Sequence, residues 1–154
     1  MALLEKQLVV KTSQLPGSGL GLFTKTFIPK GTRIVEYKGR VTKWKDVKNE
    51  NDNGYIYTIN NNHVINALPY KKALARYAND ARGISRIKGI TNNCNYVNDN
   101  MKAYIESFRD IPAGGEILVN YGKEYWDVIR ENIKIEKDKQ KKLAAKKKKA
   151  VLAK

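Results

Sequence analysis

One cysteine, one histidine and two methionines are all that this 154-residue chain holds of those types, and it has no run of 18 consecutive apolar residues. Each shortage excludes something. Cys94 alone can neither close an internal disulfide nor fill a cysteine-cluster zinc site, so no metal is expected and a reducing compartment is implied. The single histidine, His63, sits in an Asn-rich stretch and reads as a surface residue, which leaves general-base chemistry without its usual agent. Without a long apolar run no membrane span is expected. The first ten residues, MALLEKQLVV, carry charges and no small-residue cleavage site, so they do not read as a secretion signal. The expected location is intracellular: cytoplasm or nucleoid for a bacterial protein, nucleus for a eukaryotic or viral one.

Acid is also scarce. Thirty basic side chains stand against fifteen acidic ones, for a net charge of +15. From Lys134 to Lys154 ten lysines face only Glu136 and Asp138, a net of +8 in 21 residues. Such a segment attracts polyanions, nucleic acid first among them; the plain alternative is a solvated tail that aids solubility. What remains is ordinary. The length predicts one domain with a genuine core, and 42% hydrophobic residues suits a folded chain.

Residues 1–126 alternate short apolar runs with Gly, Asn and Pro punctuation. Leu8–Thr12, Gly21–Thr24, Arg33–Tyr37, Tyr55–Ile59, Val64–Ala67, Met101–Phe108 and Ile117–Val119 read as strands, β-branched or aromatic and bounded by turn residues. Thr42 to Val47 reads as a short helix capped by Thr42, and Lys71 to Tyr77 as a helical turn or two. After Gly122, Tyr125, Trp126, Ile129, Ile133 and Ile135 fall mostly three or four apart, which suits an amphipathic helix. Beyond Lys137 the lysine–alanine sequence lacks the apolar surface to fold alone. The expected division is 1–126 for the main domain, 127–136 for a helix that closes or packs on the site, and 137–154 for a disordered tail.

Four blocks carry the functional signal: Gly17-Ser18-Gly19-Leu20-Gly21-Leu22-Phe23, Glu36-Tyr37-Lys38-Gly39, Arg76-Tyr77-Ala78-Asn79-Asp80, and Asp110 to Trp126. The glycines are not a dinucleotide fingerprint, because a strand and then Pro29 follow them where a phosphate-binding helix would have to start. In this order the blocks resemble the SET-domain protein lysine methyltransferases, over roughly Leu8 to Trp126. That resemblance implies a mainly β fold of several small curved sheets, with a C-terminal segment threaded under a loop like a pseudoknot, plus a C-terminal helix.

It also implies S-adenosylmethionine as cofactor. Gly19-Leu20-Gly21 matches the place where the backbone approaches it, and bare glycines allow that approach. Asn79 matches the asparagine that holds its amino-acid end. Tyr77 and Asp80 replace the family's usual Phe and His there, which bears on the adenine contact. Tyr121 matches the tyrosine whose hydroxyl stands at the transferred methyl, and Tyr37 the one that lines the lysine channel. Tyr96, in Asn93-Cys94-Asn95-Tyr96, resembles a tyrosine that limits the number of methyl groups, since Val119 fills the place where other members carry that aromatic; monomethylation is expected. Trp126 either stacks on adenine or anchors the helix. Outside these blocks each tyrosine would read as a core residue with a satisfied hydroxyl.

The activity so implied is protein-lysine N-methylation. Its substrate would be a basic protein, histone or histone-like, with the chain's own tail as one candidate and a ribosomal protein as another. The tail from Lys134 to Lys154 would contact DNA. A homodimer is expected if so small a version of the fold leaves apolar surface uncovered. The alternative is a non-catalytic nucleic-acid-binding or architectural protein on an inactive SET scaffold.

Overall fold

A computed structural model describes residues 3–50, 53–83 and 86–152. The chain divides into two compact units, Met1–Asn120 and Tyr121–Lys154. The first carries three small sheets. Strands β1 (Leu8–Thr12), β2 (Leu20–Thr24) and β9 (Glu116–Ile117) form one sheet, in the order β1-β2-β9. A second has the order β10-β7-β8-β3, from β3 (Arg33–Glu36), β7 (Cys94–Asp99), β8 (Lys102–Ser107) and β10 (Val119–Asn120). The third, β4-β6-β5, joins β4 (Arg40–Thr42), β5 (Ile56–Asn60) and β6 (His63–Asn66). The expected strands form within one or two residues of their expected ends, except that the one expected at Ile117–Val119 is divided between β9 and β10, with Leu118 in neither.

Residues 116–120 tie two of these sheets together. Ile117 pairs antiparallel with Leu22 of β2. Leu118 bridges in parallel to Asn79, whose carbonyl accepts from the Val119 amide at 2.8 Å. Val119 and Asn120 then pair in parallel with Cys94 and Asn95 of β7. This is the threaded segment: five residues bonded in turn to β2, to the Asn79 loop and to β7. Their burial follows, with Ile117 and Val119 wholly buried and Leu118 nearly so. Around them Leu22, Ile28, Ile34, Ile105 and Ile111 complete an aliphatic core, burying roughly 2 kcal/mol of apolar surface per side chain.

Strands β4 and β7 escape the sequence pattern. In β7 Cys-Asn-Tyr-Val-Asn-Asp has low intrinsic strand preference, yet it pairs over its whole length with β8, from Cys94↔Ser107 to Asp99↔Lys102. Cross-strand packing decides strand formation here, not propensity. The turn between them takes left-handed backbone at Asn100 and Met101. The helix expected from Thr42 is one turn, α1 (Trp44–Val47), and Thr42 hydrogen-bonds Asp46 from the preceding strand. His63 is half-buried at the start of β6, not a freely exposed residue.

The second unit is built on one helix, α2 (Lys123–Leu152), 30 residues long, or about 45 Å at 1.5 Å per residue. Here the structure corrects the expected helix limits. The tail expected to be disordered from 137 onward is helical through Leu152. No glycine or proline interrupts residues 123–152, and Ala, Lys, Gln, Glu and Leu are the strongest helix formers. Side-chain pairs one turn apart add support: Lys123 with Asp127 at 2.7 Å and Gln140 with Glu136 at 3.4 Å. Apolar packing is not required for a sequence of that composition to choose helix over coil.

Candidate functional site

A hydrogen bond joins the glycine block to the Asn79 loop. Asn79 Nδ2 donates to the Leu20 carbonyl at 2.9 Å. Gly19 has φ of +68°, a left-handed conformation that side-chain-bearing residues rarely adopt, and the space where a Cβ would stand is open. That leaves a backbone shelf onto which a ligand could settle. Gly21 is different. A Cβ there would run into the Glu116 carboxylate, which is buried and accepts from Ser13 Oγ at 2.7 Å and the Gln14 amide at 3.1 Å. The absence of a side chain at Gly21 therefore makes room for Glu116, which fastens the loop after β1 to β9.

Asp80 is 5% exposed, and its Oδ1 accepts from the Arg82 amide and from Asn92 Nδ2, both at 2.8 Å. Asn92 returns the contact by accepting from the Ala81 amide at 2.8 Å. Asp80 and Asn92 thus hold the backbone at Ala81 and Arg82. Tyr77, in a short 3-10 turn, donates its hydroxyl to the Lys71 carbonyl.

A cluster of tyrosines occupies the junction of the second and third sheets. Tyr37, Tyr57 and Tyr96 form a triangle with ring centroids 5.7 Å (37–57), 5.9 Å (37–96) and 5.0 Å (57–96) apart. None of the pairs is parallel, so the rings meet face to edge or tilted. Tyr37 is 5% exposed; its hydroxyl donates to the Tyr55 carbonyl at 2.8 Å and its amide to the Ala103 carbonyl at 2.8 Å. Tyr57 donates its hydroxyl to Asn98 Oδ1 at 2.6 Å, and burial pushes its ionisation above the ordinary tyrosine value. Sequence reasoning named Tyr37 and Tyr96 but missed Tyr57 and Asn98. Tyr57 lies in a strand whose alternation cannot tell a channel wall from a core.

Local structure explains why these rings are held. Gly39, two residues after Tyr37, brings its backbone against Asn66 and Ala67; a Cβ would sit 2.6 Å from the Asn66 carbonyl oxygen. The Glu-Tyr-x-Gly spacing is what lets β3 turn into β4 there. Arg76 lays its guanidinium over the Tyr55 ring at 4.0 Å and donates from Nη1 to the Ala67 and Leu68 carbonyls, both at 2.8 Å. Tyr55 in turn receives the Tyr37 hydroxyl.

In the second unit Tyr121, Tyr125 and Trp126 form their own aromatic group. Tyr121 stacks on Trp126 with centroids 5.9 Å apart and planes 13° from parallel. Tyr125 stands edge-on to both, at 4.8 Å from Tyr121 and 5.0 Å from Trp126. One face of the indole is therefore already covered. Gly122, with φ of +94°, turns the chain between Tyr121 and α2.

Cys94 is wholly buried in β7, and burial pushes its thiol up to about 12, so it is inert at neutral pH. Among the described residues no three His, Cys, Asp or Glu side chains gather to hold a metal ion. No helix of the described residues is long and apolar enough to cross a membrane.

Residues 19–122 match the sequence profile of the SET domain. The chain belongs to the SET-domain family. The curated histone-lysine N-methyltransferase EZH2 of Chaetomium thermophilum is 28% identical over 139 residues, a match spanning 82% of this chain and 9% of that protein. The chain thus spans about a tenth of that relative's length. Among solved structures, the methyltransferase domain of human PR domain-containing protein 2 matches with a TM-score of 0.57 and 26% identity, over 75% of this SET domain's chain and 77% of that one. Both the small-sheet architecture and the threaded segment at 116–120 agree with that membership.

Proposed function

We propose that this SET domain is a protein-lysine N-methyltransferase that moves a methyl group from S-adenosylmethionine to a lysine of a basic protein, histone or histone-like. The observation that carries the reading is the Tyr37–Tyr57–Tyr96 triangle in a member of this family, with the Tyr37 and Tyr57 hydroxyls directed by hydrogen bonds to the Tyr55 carbonyl and to Asn98. Methyl transfer needs a neutral amine, held in line with the bond that breaks, with water kept out. Neutralising a lysine of pKa about 10.4 at pH 7 costs about 4.6 kcal/mol. Apolar aromatic walls favour the neutral amine by penalising the ammonium form. Alignment supplies several kcal/mol more. No strong base is required, in keeping with a chain whose one histidine begins β6.

Bound there, the cofactor would supply an electrophilic methyl, and this chain's residues would hold the lysine nitrogen in line with it, its proton having left for solvent beforehand. The left-handed, open backbone at Gly19 and the Leu20 carbonyl pinned by Asn79 fit such a ligand. Gly19, Leu20, Gly21, Tyr77, Asn79 and Asp80 would surround it. Trp126 would offer its indole to adenine, worth about 1–3 kcal/mol by analogy with base stacking. Tyr121 would present its hydroxyl to the methyl. Tyr96 would crowd a second methyl and favour monomethylation.

The exposed lysines of α2 between 139 and 148 would recruit the enzyme to DNA, where basic proteins gather. Their helical form bears on self-methylation. A helix is about 10–12 Å across with its side chains, so a tail lysine could enter a narrow phenol-lined channel only after local unwinding. A homodimer would cover exposed apolar residues such as Phe27, Val41 and Trp44. Incubating the protein with labelled S-adenosylmethionine and core histones tests the reading: label on lysine supports it. Cofactor binding with no transfer to any basic protein, unchanged by Tyr121→Phe, would favour the non-catalytic nucleic-acid-binding alternative.

A further inference from the structure

Away from the tyrosine triangle, a cavity of about 380 Å³ opens between the 80–92 loop and the end of β8, with Arg82 and Arg109 in its walls. Asn95 lies in it and neighbours Tyr96 along β7, so strand alternation sends the two side chains to opposite faces of the sheet. The cavity is therefore on the face away from the phenols.

We infer that this cavity is a second ligand site, for a phosphate-bearing molecule of nucleotide size. The sign of its charge comes first. Residues 81–98 contain Arg82, Arg86 and Lys88 and no acid. Among the described residues neither Arg82 nor Arg109 has an ion-pair partner. The nearby carboxylate, Asp80, is buried and bound to the Arg82 amide and Asn92. Unmatched guanidinium groups present planar forks of N–H donors that fit phosphate oxygens.

The geometry adds to this. Arg109 is aimed by its bond from Nη1 to Thr91 Oγ1 at 2.7 Å and lies 5.4 Å from the Phe108 ring, which supplies an apolar wall. The Asn95 amide has no protein partner among the described residues and can donate or accept. Beside the opening, Arg86 Nε donates to the Arg82 and Gly83 carbonyls, both at 3.0 Å. A cavity of this volume lies in the range of small-molecule sites, about 300–1,000 Å³.

Titration calorimetry on the full chain tests the inference with adenosine monophosphate, inorganic phosphate and a short oligothymidylate as probes. The expected result is saturable binding of adenosine monophosphate, competed by inorganic phosphate and unaffected by saturating S-adenosylhomocysteine. Arg82→Ala and Asn95→Asp should each weaken it about tenfold or more. Asn95 is exposed and its side chain has no partner among the described residues, so its variant keeps the fold while placing a negative charge in the opening. Oligothymidylate binding tighter than the mononucleotide and equally sensitive to Asn95→Asp would identify a strand as the source; an insensitive or weaker response would identify the free nucleotide. No binding of adenosine monophosphate, binding unchanged in both variants, or displacement by S-adenosylhomocysteine would overturn the inference. Methyl transfer need not occur for any of these outcomes.

Discussion

Tyr37 shows how much one side chain is asked to do. Its ring borders Tyr57 and Tyr96, its hydroxyl is spent on the Tyr55 carbonyl, and Arg76 holds Tyr55 from the other side. A phenol so fixed would contribute a wall, not a proton. Tyr121→Phe, which removes one hydroxyl and little volume, is expected to cut kcat by about 10²-fold or more, the scale of losing one aimed transition-state donor. Thermal stability should stay within about 0.5 kcal/mol of the parent. Steady-state assay beside thermal denaturation checks both halves. Tyr96→Phe should change the product more than the rate: intact-mass spectra of the substrate should gain species of two or three methyl groups where the parent adds one. Cys94 offers a third check. Its folded thiol ionises near 12 against 9.0 for an ordinary one. Between those values the unfolded chain has lost a proton the folded chain keeps, so this group's contribution to stability falls as pH rises from 9 towards 12. At pH 8 iodoacetamide should leave Cys94 unmodified in the folded protein and alkylate it fully in denaturant.

Elements were legible in the sequence where local chemistry decides them. Leu8–Thr12 and Arg33–Glu36 are strands by β-branched content, and Gly19 stands out because a left-handed turn needs it. Strand β7 was hidden because its Asn- and Asp-rich sequence becomes a strand only by pairing with β8. Glu116 was hidden because its partners, Ser13 and Gln14, lie about a hundred residues away. Tyr57 was missed for the same reason: what makes it part of a triangle is its distance from Tyr96, which no local spacing encodes. The glycines give the sharpest tests at this scale. Gly39→Ala drives a Cβ into the Asn66 carbonyl and should cost about 1–3 kcal/mol, lowering Tm by several degrees. Gly21→Ala collides instead with the Glu116 side chain, which can be removed. Gly21→Ala and Glu116→Ala should each destabilise, and the double variant should lose clearly less than their sum, a coupling that a double-mutant cycle measures.

For the whole molecule, charge and helix are the features that composition announced and misjudged together. Lysine enrichment from Lys134 onward was plain, but a lysine–alanine run was expected to stay disordered, and it forms the far half of a 30-residue helix instead. Low hydrophobicity rules out a packed core; it does not rule out a single helix made of strong helix formers. Replacing Lys139, Lys141, Lys142, Lys146, Lys147 and Lys148 by Gln should weaken duplex DNA binding at 0.1 M salt and flatten the slope of log K against log salt by up to about five, with turnover on a short free peptide unchanged. Fluorescence anisotropy across a salt series reads both affinity and slope. The central claim, that the body of the chain holds a methyl donor beside a phenol-lined lysine site, meets its most direct test in calorimetric titration with S-adenosylhomocysteine. One saturable site per chain is the predicted result. A flat titration from folded protein would contradict it.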